Sequence, residues 1–148
     1  MTFENDIERV FAEHHARPGA SAEEIAGLEA RLGRRLPEDM VAFYRRCDGA
    51  SLFGHPDSPF RILPIREVET MREFMYGSSD ERYGPASLVC FCDTLDRSGL
   101  AIELAAGPQY GEVWDCYPLV WPEDGFVVAS SFTQFLSRVL ASGGEHWW

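Results

Sequence analysis

Cysteine and histidine supply most biological nucleophiles, general bases and metal ligands, and the chain carries four of each. Cys90 and Cys92 stand two residues apart, which places both on one side of a strand. No CxxC pair or neighbouring histidine completes the tetrahedral set that zinc requires. His14 and His15 are adjacent, and on a helix they point about 100° apart and do not share an ion. No metal and no cofactor is therefore expected. His55 lies beside Asp57 and Ser58, but three polar residues close in sequence among turn formers are not catalytic geometry. Paired carboxylates such as Asp93 with Asp96, or Glu123 with Asp124, are too common in so acidic a chain to single out as acid and base. All 13 bases are arginine, so there is no lysine for a Schiff base or a phosphate-binding loop. GxSxG, GxGxxG and GxxxxGK[ST] are absent, and no catalytic residue is assigned: the expectation is a protein that is not an enzyme.

The elements that hold these residues follow from composition and period. At 148 residues the chain is expected to form one domain, residues 1–148, large enough to bury its own core. The cysteines then read as free core thiols rather than staples. No apolar run approaches the roughly 18 to 20 residues of a membrane span, and the acidic start Met1 to Asp6 is unlike a signal peptide, so a cytoplasmic location is expected. A net charge of −11 disfavours nucleic acid and anionic membranes as partners and favours a basic protein.

Ile7, Val10 and Phe11 mark a first amphipathic helix ended by Arg17-Pro18-Gly19. Ser21 with Glu24 reads as a capping box for a second, whose stripe is Ile25, Leu28 and Leu32 and whose stop is Gly33. Pro37-Glu38-Asp39 opens a third helix, with Met40, Phe43, Tyr44 and Cys47 on one face and Gly49 at its end. Gly49 to Pro59 reads as an irregular exposed loop. Phe60 to Ile65 is a short strand candidate, and Val68, Met71 and Met75 suggest another helix ended by Gly77 to Asp80. Leu88 to Cys92, Leu100 to Leu104 and Val113 to Tyr117 form an antiparallel meander. In its second run Leu100, Ile102 and Leu104 face one side, and Ala101, Glu103 and Ala105 an at least partly polar other side. Ser131 with Gln134 caps a last helix with Phe132, Phe135, Leu136, Val139 and Leu140 on its stripe. The class is α+β, with helices on an antiparallel sheet.

The stretch Ser21 to Gly49, with Glu24-Ile25, Leu28-Glu29, Leu32-Gly33, Leu36-Pro37-Glu38-Asp39, Phe43 and Asp48-Gly49, resembles the SUKH superfamily, which includes the fungal cell-wall-assembly regulators of the Smi/Knr type. A hairpin at Leu88 to Glu103 and the closing Ser131 to Leu140 helix agree, so the resemblance covers about residues 21–141. The chain departs from the family pattern at Cys47 and at Glu103. The resemblance implies a sheet of about four to six antiparallel strands flanked by helices. It also implies an immunity protein that neutralises a cognate polymorphic or contact-dependent toxin, or alternatively a regulatory or scaffold module with a non-toxin partner.

Either role needs a protein-binding surface, which by composition should hold apolar or aromatic anchors rimmed by acids. Three segments qualify: Leu52, Phe53, His55 and Asp57; Tyr76, Asp80, Glu81 and Tyr83; and Trp121, Glu123 and Asp124. The expected assembly is a monomer or weak homodimer. Trp147 and Trp148 read either as a groove cap, as part of a dimer, or as a frayed tail.

Overall fold

The fold was analysed in a computed structural model, which describes residues 2–95, 98–116, 121 and 124–148. The order of elements is α1 (Phe3–Glu13), β1 (His15–Pro18), α2 (Ala22–Leu32), α3 (Glu38–Arg46), β2 (Cys47–Leu52), β3 (Phe60–Ile62), β4 (Glu69–Thr70), α4 (Met71–Tyr76), β5 (Leu88–Asp93), β6 (Gly99–Glu103), β7 (Val113–Asp115), β8 (Phe126–Ala129) and α5 (Phe132–Ser142). All strands pair antiparallel in one eight-stranded sheet, ordered β1-β2-β3-β5-β6-β7-β8, with β4 on β5. The class is α+β, and the sheet is wider than the four to six strands expected.

The extra width comes from segments whose composition hides their pairing. The chain leaves α1 at His14, and His15 to Pro18 becomes an edge strand, where a residue without an N–H is tolerated. Cys47 to Leu52 is not part of an exposed loop but a largely buried strand between β1 and β3. Gly49 is there because the chains touch: at φ +87° a Cβ would stand 2.7 Å from the Ile62 carbonyl oxygen. The exposed loop shrinks to residues 54–57 and the half-buried Phe53.

Local caps form where the residue types demand them. Ser21 Oγ accepts from Glu24 N, and Glu24 Oε1 accepts from Ser21 N, each at 3.1 Å. At α5, Ser131 Oγ accepts from Gln134 N as expected, but Gln134 Oε1 takes its proton from Ser130 N at 2.7 Å instead. Asp39 Oδ2 accepts from both the backbone N and the Oγ1 of Thr133, tying the start of α3 to that of α5.

The core is a continuous cluster built around rings. Phe132 meets Phe43 at 5.1 Å and Phe91 at 5.7 Å, and Phe135 meets Phe91 edge-on at 5.1 Å. The buried Tyr44 hydroxyl donates to the Leu63 carbonyl at 2.7 Å. All five residues of β6 are buried, Ala101 and Glu103 included, because α4 lies over β5 and β6 with Met71 and Phe74 against Gly99. The second face of that strand carries the polar Glu103 that alternation suggests, but it is covered rather than open to solvent. His146, Trp147 and Trp148 fold back onto Phe60, and Trp148 Nε1 donates to Asp115 Oδ2 at 2.6 Å, so the terminal tryptophans cap the sheet. No described helix is long and apolar enough to cross a membrane.

Candidate functional site

The groups with the best chemical credentials are withdrawn from solvent. All four cysteines are buried and free. Burial pushes the Cys47 thiol up to about 12 and raises Cys90, Cys92 and Cys116 well above the ordinary thiol value, so they pack as small apolar groups. No group of three or more His, Cys, Asp or Glu able to hold a metal occurs among the described residues. His14 and His15 do diverge, but from a helix end into a strand. His14 Nδ1 accepts from Phe53 N at 3.1 Å and its ring meets Phe53 at 4.5 Å, whereas His15 stacks on His55. Ser58 serves the turn rather than His55: its Oγ lies 2.6 Å from the Leu52 carbonyl and 2.8 Å from that of Phe60, and accepts from Phe60 N.

The segments selected for partner contact sort into two clusters and some outliers. At the β2–β3 tip, Phe53, His55 and Asp57 reach the surface or half reach it, but Leu52 is fully buried. Leu52 is thus corrected from an anchor to a core residue, because the strand it belongs to alternates inward at that position.

The second cluster follows α4, which stops at Gly77 with φ +64°. The chain then returns so that Tyr76 and Tyr83 stack at 4.6 Å, with the Arg82 guanidinium 5.0 Å from the Tyr83 ring and 3.4 Å from Asp80 Oδ2. Trp121, distant in sequence, locks the return: its Nε1 donates to Tyr83 O at 3.1 Å and its carbonyl accepts from Tyr76 Oη at 3.2 Å. Its ring lies so close to the Gly84 Cα that no Cβ fits there. Trp121 is only 5% exposed, so it too is corrected, from contact anchor to internal support. What remains outside is Tyr76, 39% exposed, with Asp80, Glu81 and Glu73 around it and Tyr83 half-buried. Asp124 is exposed, and Glu123 lies outside the described residues. Among the described residues no hydrogen bond, ion pair or ring contact joins this cluster to the β2–β3 tip.

Two features escaped the sequence reading. Phe126 and Val127 on edge strand β8 are 57% and 48% exposed; the apolar run Phe126 to Ala129 was the available signal. A cleft of about 650 Å³ lies between α2, β4 and α4. Arg31 in its wall donates to the Ile65 and Val68 carbonyls, and burial together with Glu73 raises the Glu69 carboxyl. Its parts are dispersed along the chain, and no local pattern announces it.

The model of the SMI1 / KNR4 family (SUKH-1) matches residues 19–138. The chain belongs to that family. In this SUKH-1 chain the match spans α2 through most of α5 and leaves α1 and the terminal tryptophans outside it. A similar relative is the protein named immunity protein YokJ from Bacillus subtilis (strain 168), 30% identical over 117 residues, or 77% of this chain and 70% of the relative.

Proposed function

We propose that this SUKH-1 protein is an immunity protein that binds a cognate toxin domain and neutralises it by stoichiometric occlusion. The observation that carries the reading is the 30% identity to a named immunity protein across 77% of the chain. Occlusion requires surface and not chemistry, which accords with thiols that are buried and protonated and with a Ser58 that is spent on its own turn.

The contact surface is assigned to the Tyr76–Tyr83 stack with Asp80 and Glu81 on its rim, joined by Asp124. A preassembled aromatic pair presents area without a large ordering cost, and a carboxylate rim supplies complementarity to a basic partner. The net charge of −11 acts in the same direction by speeding encounter with a basic surface.

The test starts from low-salt affinity capture with the tagged chain from its host lysate. A retained polypeptide is then expressed alone and together with the chain. The expected result is growth arrest by the captured protein, rescue by the chain, and at least tenfold weaker binding for the Tyr76→Ala, Asp80→Asn pair of changes. A non-toxic captured partner, or undiminished binding by that variant, would sink the toxin reading or the surface assignment respectively; a cellular partner of other kind moves the reading to a regulatory module.

A further inference from the structure

The outer face of the sheet at its β1–β2–β3 end carries a row of polar side chains outside the contact surface proposed above. Strand register places His15 opposite Ser51, Ser51 opposite Arg61, and Arg61 opposite Asp93, so these four neighbour one another across four strands. The β2–β3 loop returns over this row. His55 stacks on His15 with ring centroids 3.7 Å apart and planes 14° apart, and its Nδ1 lies 3.3 Å from Ser51 Oγ. A cavity of about 170 Å³ opens beneath, lined also by Arg17 and Arg66. At about 30 Å³ per water it holds roughly five or six water volumes, the size of a small ion with part of its hydration and far below that of a nucleotide.

The charges around it are unequally committed. Arg61 is engaged by Glu67 at 3.1 Å and by Asp93 at 3.6 Å, which spends both carboxylates that approach the row. Arg66 reaches Glu67 only at 4.0 Å, and Arg17 makes no ion pair among the described residues. Two guanidinium groups, two imidazoles and the hydroxyl of a buried Ser51 therefore converge with donors to spare, in a chain whose surface is otherwise strongly acidic. Guanidinium forks match tetrahedral oxyanions, and an imidazole adds a donor at each nitrogen once protonated.

We propose that the cavity between β1, β2, the β2–β3 loop and the Ile65–Glu67 turn is a binding site for a small tetrahedral oxyanion, inorganic phosphate or a phosphate-ester head group. Arg17 and Arg66 supply the fixed positive charge, and His15 and His55 supply ring N–H donors.

The experiment is side-chain nitrogen NMR of the full chain's four histidines during titration with sodium sulfate, which stays a dianion between pH 6 and 8, against sodium chloride at equal ionic strength. Saturable shifts confined to His15 and His55 are expected. The Arg17→Gln, Arg66→Gln double variant should weaken binding at least tenfold, whereas Arg45→Gln on α3 leaves it unchanged. Inorganic phosphate and glycerol phosphate are then compared: equal affinity assigns the free anion, and tighter binding of the ester assigns a head group. Shifts that match chloride, or binding untouched in the double variant with its fold intact by circular dichroism, would overturn the site. No toxin is present in the assay, so its outcome is independent of the immunity reading.

Discussion

The β2–β3 tip and the Tyr76–Gly84 segment are both surface excursions with similar composition, and they are held by opposite means. The tip has a brace of its own, since Ser58 joins residues six positions before and two after itself, and His14 and His15 add support from the neighbouring strand. The Tyr76–Gly84 segment is held, besides the Arg72 bond to Gly84 O, by one remote residue, since Trp121 reaches it across 38 and 45 positions of sequence. The Ser58 bonds of the tip form whenever its own two strands pair. Remote bracing makes the presented tyrosine pair contingent on the rest of the fold.

That contrast can be broken in order of cost. Trp121→Ala removes a buried ring and the indole hydrogen bond to Tyr83 O, and should cost about 3–5 kcal/mol of stability in urea unfolding. In the same variant, hydrogen exchange at residues 77–84 should rise well before that at residues 53–58; equal loosening at both places would refute the idea of separate braces. Ser58→Ala strips acceptor and donor from buried backbone groups, and should cost about 1–3 kcal/mol, with exchange raised at the tip and unchanged at Tyr83. The smallest effect is on pH. Burial depresses the His14 imidazole below its ordinary value, and its Nδ1 accepts from Phe53. The unfolded chain then takes up the proton first as pH falls through about 6.5. Stability is full above that pH and declines below it, so the urea midpoint should drop between pH 7.5 and 5.5. In His14→Gln this part of the slope disappears; an identical slope in both proteins would remove His14 from the account.

How much of this was readable beforehand depended on the range of the interaction. Ser21 and Glu24 are three positions apart and satisfy each other, so residue type alone located α2. The ring stripe of Phe132, Phe135, Leu136 and Val139 located α5 in the same way. Cys47 to Leu52 was missed because its glycine and serine are turn formers by type, whereas Gly49 exists for the close approach of Ile62. The buried state of β6 on both faces was equally invisible, because α4 covers it from elsewhere in the chain. Of the residues proposed for contact, Tyr76, Asp80 and Glu81 are exposed and Tyr83 half-buried, whereas Leu52 is buried by strand pairing and Trp121 by its remote contacts with Tyr76 and Tyr83, neither of which residue type discloses.

The four sheltered thiols turn the molecule into its own stopwatch. Cys90 and Cys92 sit in the middle of the sheet, and Cys47 and Cys116 lie at the ends of other elements, all shut off from solvent and far from ionised. A thiol-specific reagent should pass over the folded chain and mark it only during an opening large enough to expose a strand. The order in which these four positions become labelled would record, without any added probe, which part of the sheet comes apart first.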